Sequence, residues 1–433
     1  MTPEITICLL ICLFTFALYL WNPYKSLGTT AVISILALYA TKCVDKGIIT
    51  SCFGSTTALL TCGMFVIAAG FSHTQFVKNI AKLVKHISHG SLTKVIIGYI
   101  ALAILLCNVV PSNLVPFSIL YPLLDATVRE MDISPSKVMF PLGITCIVCC
   151  GALPIGSGAM TYETLNAIIA SNGGIASVNP LDPALGRLPL LILMFVYCSF
   201  VAPKLAPSKP AVEISGMKNA AASAAVNQAQ LPKFQEISGI IIFFAATILL
   251  VLSSKIGIEN WQIALGGAVL MVITNVLTPA EASKAIPIRA YLLLVGGLVM
   301  ANGLNKTGAG ALVGELVANL AGAGRSNIVF YLIFFCGPFI LTQFILNQTA
   351  MNIFYPIAAQ TCIALGVNPA GALICVMAGG FSAFFTPMAT GTVPYMMAAG
   401  GYDIRQLMKQ SVLPFLLCIV VTVLWMSLVF PVF

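Results

Sequence analysis

Apolar runs close to or above the roughly 20 residues that cross a bilayer recur from one end of this chain to the other. In lipid every backbone N–H and C=O must find its partner within the protein, which leaves helices and closed barrels as the spanning solutions. A barrel strand alternates polar and apolar residues, whereas these runs are solid. Charged residues make up 8% of the 433, against about 25% in soluble domains, and 59% are hydrophobic. The expected fold class is an all-α polytopic membrane protein.

Several function classes fall away at this point. The net charge of +8 lies in lysines and arginines that flank apolar runs, with no basic cluster interleaved with aromatics, so no nucleic-acid partner is expected. The 14 cysteines sit inside apolar segments such as "CIVCC" (146–150) and read as small buried hydrophobes, without zinc or redox spacing. His73, His86 and His89 read as interfacial residues at one membrane face. The start, "MTPEITICLLICLFTFALYLW", lacks a basic leader and a cleavage site, so it reads as a retained first helix. A membrane enzyme would need clustered His, Asp and Glu. With 3 His and 13 acids and no HExxH, no enzymatic activity is expected.

The chain repeats itself. "GMFVIAAGFSHTQ" (63–75) aligns with "GLVMANGLNKTGA" (297–309) when Gly70 is set on Gly303, an offset of 233. Asn113 in "PSNLVPFSILYP" and Asn347 in "LNQTAMNIFYP" each stand nine residues before a proline, Pro122 and Pro356. Pro154 in "GALPIGSG" meets Pro387 in "FTPMATG" at the same offset of 233. The expected organisation is a first repeat at 1–204, a cytoplasmic linker at 205–236 and a second repeat at 237–433. Each repeat has about five spans, an odd number, so the two enter the membrane from opposite sides.

Fifteen of the 21 basic residues fall on one side when the linker is placed inside, leaving Lys42, Lys46, Arg187, Lys255, Lys306 and Arg325 outside. The expected placement is a multi-pass protein of the cell (inner) membrane, linker cytoplasmic and both termini outside. The segment "QFVKNIAKLVKHISH" (75–89) sets Phe76, Ile80, Leu83 and Ile87 on one helical face and Lys78, Lys82 and Lys85 on the other. Such a helix lies in the membrane interface.

The polar phrases interrupt apolar segments at membrane depth, where non-helical backbone is tolerated if it lines a cavity or is buried in protein. Two re-entrant hairpins are expected at about 97–125 and 328–362, each flank of the Asn phrase being about a dozen residues. Two broken helices are expected at about 138–171 and 369–400. Helix N-termini at such breaks suit an anion, and freed carbonyls with Ser, Thr and Asn oxygens suit a hard cation such as Na⁺.

The paired tips "SNL" (112–114) and "NQT" (347–349), with "LPIGSG", "TPMATG", "LLLVGGLVMANGLNKTG" and "GYDIRQLMKQSVLPFLLCIVV", resemble the divalent-anion:sodium symporter family of the ion transporter superfamily. The resemblance implies a secondary transporter importing a small di- or tricarboxylate or related anion with Na⁺ by alternating access, working as a homodimer. It implies one Na⁺ among Asn108, Ser112, Asn113 and Gly156, and a second among Thr342, Asn347 and Ala389. The anion would lie between the tips, on Ser112, Asn113, Ser157, Asn347, Gln348, Thr349 and Thr390. Leu114 and Gln348 replace the usual tip threonines, Gly391 replaces a proline, and the usual Pro-Pro-Asn run after each break is absent. The alternative is a proton-coupled or exchange-type transporter of the same fold, with Glu163 as the proton site.

Overall fold

The computed structural model describes residues 3–21, 27–110, 112–154, 161–174, 178–212, 214, 231–286, 288–308 and 326–433. Among these residues all regular structure is helical. The first half runs α1 Pro3–Trp21, α2 Leu27–Ala40, α3 Lys46–Phe53, α4 Thr56–Ser72, α5 Gln75–Ile87, α6 Leu92–Val109 and α7 Leu114–Glu130. It continues as α8 Met139–Val148, α9 Thr161–Ser171 and α10 Asp182–Val196, which extends through a π-type turn to Leu205. The second half runs α11 Lys233–Ile256, α12 Asn260–Ile273, α13 Pro279–Ala285, α14 Ile288–Thr307, α15 Asn327–Thr342 and α16 Asn347–Ala364. It closes with α17 Ala370–Gly380, α18 Thr392–Gly400 and α19 Ile404–Val429. Five stretches, 46–71, 92–109, 182–205, 233–250 and 404–429, are long and apolar enough to cross a membrane.

Two helix pairs form the frame: α4 packs on α12, and α2 packs on α14. Both crossings use a glycine against an alanine. A Cβ on Gly63 would fall 2.5 Å from the Ala264 carbonyl carbon, and one on Gly296 would fall 2.7 Å from the Ala31 Cβ. Small residues at such crossings let helix backbones approach closely, which is how helices gain packing energy in a solvent as apolar as themselves. Gly63 and Gly296, like Ala31 and Ala264, are separated by the same 233 positions as the sequence repeat.

The segments around the Asn phrases are helix pairs, α6 with α7 and α15 with α16, in contact within each pair. Their arms are 16 to 18 residues long, longer than the dozen expected from the sequence. The difference arises because the arms run past the apolar stretch: α6 starts at "LTK", α7 ends at "VRE" and α15 starts at Asn327.

The segment expected in the interface forms α5, and its Phe76 ring lies 6.3 Å from Phe71 and 5.8 Å from Phe244. Lys82 is exposed, while the side chains of Lys78, Ile80, Leu83 and Lys85 lie outside the described residues. One basic residue departs from its sequence placement. Arg187 was counted with the outer loops, yet it is fully buried in α10. Its guanidinium donates to Val148 O at 2.7 Å and Cys150 O at 2.9 Å, and lies 4.7 Å from the centroid of Phe381, just past α17. The carbonyls freed at the end of α8 attract it into the core, a pull that no count of loop charges registers.

Candidate functional site

The first tip lies between α6 and α7. Ser112 Oγ accepts from the N–H groups of Leu114 and Val115 at 3.3 and 3.4 Å, closing the start of α7. That leaves the next side chain, Asn113, free to reach across 277 residues of sequence. Its Nδ2 donates to Thr390 Oγ1 at 3.1 Å, and its Oδ1 accepts from Thr392 Oγ1 at 3.1 Å. The first tip and the second helix break are thus joined by one carboxamide.

The second tip lies between α15 and α16. Asn347 Oδ1 accepts from the Gln348 N–H at 2.9 Å, and Gln348 Nε2 donates to Asn352 Oδ1 at 3.2 Å. Thr349 is half-buried one residue further into α16. Thr342 closes α15, fully buried, and its hydroxyl has no hydrogen-bond partner among the described residues. A buried, unpartnered hydroxyl beside a break is the donor oxygen a hard cation needs. Ala389 is fully buried in the second break, next to Thr390. Asn108 is fully buried and its carboxamide is engaged within the protein: Oδ1 accepts from Leu153 N–H at 2.6 Å. Gly156 and Ser157 lie outside the described residues. Glu163 is exposed in the first turn of α9, accepting from the Tyr162 hydroxyl at 3.2 Å.

A cavity of about 620 Å³ gathers these parts. It is lined by Ser112, Asn113 and Leu114 from the first tip, Leu346, Asn347 and Gln348 from the second, and Thr390 and Gly391 from the second break. Thr349, Thr342, Asn108 and Ala389 are not in the lining. The opposite wall comes from the frame: Thr56, Thr57 and Leu60 of α4, Gly257 to Glu259 between α11 and α12, and Asn260 and Trp261 at the start of α12. This wall is not among the residues that the sequence singles out. Gly257, Ile258 and Glu259 are exposed, so the cavity reaches the surface at that loop.

The electrostatics follow from what lines it. Among the described residues of the lining Glu259 is the one ionisable side chain, and no Lys, Arg or His joins it. Positive potential comes instead from backbone: α7, α16 and α18 all begin at the cavity wall, at Leu114, Asn347 and Thr392. Aligned peptide dipoles leave a partial positive charge and unsatisfied N–H groups at such ends. An anion fits there without a permanent buried cation, especially beside a co-bound cation. Among the described residues no cluster of three or more His, Cys, Asp or Glu could hold a metal ion, and all 14 cysteines are free.

Comparison with known proteins places this geometry in context. The family model described as "Sodium:sulfate symporter transmembrane region" matches residues 2–431. Sodium/sulfate cotransporter 1 of Chlamydomonas reinhardtii is 28% identical over 156 residues, 36% of this chain and 18% of that protein. Human Na(+)/dicarboxylate cotransporter 3 is 27% identical over 137 residues, 32% of this chain and 22% of its own length. The sodium-dependent dicarboxylate transporter SdcS of Staphylococcus saprophyticus is 25% identical over 151 residues, 35% of this chain and 29% of its own. The matched stretches thus span less than a third of each of these relatives. The solved structure of the Alcanivorax borkumensis YdaH transporter aligns over 100% of both chains with 12% identity and a TM-score of 0.32, too low to support an argument.

Proposed function

This chain belongs to the sodium:sulfate symporter transmembrane-region family, and from that premise we propose that it carries a small divalent anion together with Na⁺ by alternating access. The observation that carries the reading is the Asn113 carboxamide. It ties the first tip to Thr390 and Thr392 at the second break, inside a cavity that also holds Asn347. In this reading Asn113, Ser157, Asn347, Gln348 and Thr390 touch the anion, with Ser112 and Thr349 shaping the tips. Na⁺ is held at the breaks, by Thr342, Asn347 and Ala389 in the second copy and by Ser112, Asn113 and Gly156 in the first. Two repeats, 1–204 and 237–433, enter the membrane from opposite sides, with the linker cytoplasmic and both termini outside. The cavity, opening at the 257–261 loop, then faces outward. Two copies of the chain pair through the frame helices.

The anion is sulfate, a C4-dicarboxylate or a larger carboxylate. Leu114 and Gln348 at the tips present an apolar group and a carboxamide to it. Among the described residues no basic side chain lines the cavity, and co-bound cations that offset the anion's charge suit such a lining, in keeping with coupling to Na⁺. Proton coupling or exchange is the second reading, and Glu259 in the cavity wall, with Glu163 at α9, is what favours it.

The test is uptake into liposomes of labelled succinate, citrate and sulfate, with and without an inward Na⁺ gradient. Uptake that requires Na⁺ and is lost in Asn113→Ala and Asn347→Ala is expected. Uptake indifferent to Na⁺ but driven by a proton gradient or by internal anion would replace symport with the second reading.

A further inference from the structure

Each hairpin finishes its first arm with a buried carboxamide, and the two carboxamides make the same pair of bonds. At the end of α6, Asn108 Nδ2 donates to Ile104 O, one turn back, at 2.7 Å. Its Oδ1 accepts from Leu153 N–H at 2.6 Å. Just past α15, Gln343 Nε2 donates to Phe339 O, again one turn back, at 2.8 Å. Its Oε1 accepts from Phe385 N–H at 3.2 Å. Leu153 directly precedes Pro154, and Phe385 stands two residues before Pro387, the prolines of the two breaks.

A second tie runs beside each. Gly151 N–H donates to Cys107 O at 3.2 Å, and the Thr386 hydroxyl donates to Gln343 O.

The chemistry explains why a carboxamide stands at both places. Where α8 and α17 stop, the following N–H groups leave the helical ladder in segments that are only partly open to the surface. Such a group left unpaired costs about 1–3 kcal/mol. An apolar side chain at 108 or 343 would pack but could not accept that proton. A carboxylate could accept it, at the cost of burying a charge. The carboxamide accepts at one end and satisfies its own donor at the other, within its own helix.

We propose that Asn108 and Gln343 are positioning residues that brace each helix break against its hairpin, fixing the freed carbonyls that hold the cation. The role that the resemblance implies for Asn108, direct ligation, thereby becomes indirect. Gln343, rather than Thr342, is its structural counterpart. The cation half of this inference rests on the Na⁺-coupled reading above, whereas the brace itself does not.

Two readouts on the purified full chain in nanodiscs separate these parts. Hydrogen exchange followed by mass spectrometry reports the peptides around Leu153 and Phe385 in the absence of Na⁺. Thermal stability titrated with NaCl, against choline chloride at equal ionic strength, reports cation binding. Asn108→Ala is expected to speed exchange around Leu153, and Gln343→Ala around Phe385. Each should raise the Na⁺ midpoint roughly tenfold, the factor that corresponds to about 1.4 kcal/mol. Thr342→Val, which removes a hydroxyl assigned to the cation but no brace, should raise the midpoint and leave exchange unchanged. If an alanine variant does not fold, Asn108→Ser or Gln343→Ser takes its place in both readouts. Unchanged exchange in both brace variants overturns the proposal. So does a wild-type Na⁺ midpoint that neither variant moves. Wild-type protein indifferent to Na⁺ overturns symport and the cation half together, and exchange then decides the brace alone.

Discussion

At Asn113 a single side chain does two jobs that charge would spoil. It donates to Thr390 and accepts from Thr392, and it lines the cavity. Asn113→Asp keeps the acceptor but places a negative group at the anion position proposed above. Uptake is expected to fall by more than tenfold in liposome assays, with a smaller loss for Asn113→Ser. Glu259 works in the opposite sense, as an exposed acid on the cavity wall. Glu259→Gln should lower the apparent KM for a divalent anion by roughly two- to fourfold at low salt, an effect that fades in ~0.5 M salt as screening shortens its range. Asn113 and Asn347 were legible in the sequence because a polar group inside a long apolar run must be satisfied by something. Glu259 and Trp261 were not, because their place in the cavity depends on how α11 and α12 pack against the tips. The pairing of Asn108 with Leu153 was equally hidden, since a backbone N–H leaves no mark in the sequence.

Among the elements, the frame depends on two glycines. The neighbour that a Gly63 side chain would strike is backbone, the Ala264 carbonyl, whereas Gly296 faces the Ala31 side chain and Cα. Backbone cannot swing aside, so Gly63→Ala should lower the melting temperature more than Gly296→Ala. Overpacking of this kind costs about 1–3 kcal/mol, and a double variant should destabilise nearly additively because the crossings are separate. Helix identity was well legible in apolar length, and α5 in its 3.6-residue periodicity. Arm lengths were not, since hydropathy marks where a helix is greasy and not where its hydrogen bonds end. The start of α4 is set by a cap, Ser55 accepting from Ala58 N–H, and hydropathy does not mark the short helix α3 before it.

On the scale of the whole molecule, the cavity lies between two assemblies: the tips and second break on one side, α4 and the α11–α12 loop on the other. Alternating access requires that these walls move relative to one another. Gln348→Cys should therefore react with a membrane-impermeant thiol reagent added outside, and Na⁺ with substrate should slow that reaction several-fold. The native background is low, because 12 of the 14 cysteines are buried and Cys62 and Cys336 are half-buried. Modification that proceeds equally with and without ligands would argue against closure of this cavity on binding. The offset of 233 can be followed along the sequence because its anchors are Gly, Pro and Asn, residues tied to backbone geometry. The reciprocal packing of α4 on α12 and α2 on α14 came from the structure, because small residues do not name their partners.

Arg187 adds an electrical property. Its guanidinium sits between the end of α8 and Phe381 beyond α17, tied to the first halves of both broken helices. If those helices shift during the cycle, a fixed elementary charge shifts with them through part of the membrane field. A full crossing would be worth about 2.3 kcal/mol per 100 mV. An inside-negative potential then draws the unloaded protein toward its inward-facing form and slows the way back. Voltage steps applied without any substrate should evoke transient capacitive currents, so that resting potential, as well as the Na⁺ gradient, sets how many copies stand ready to load.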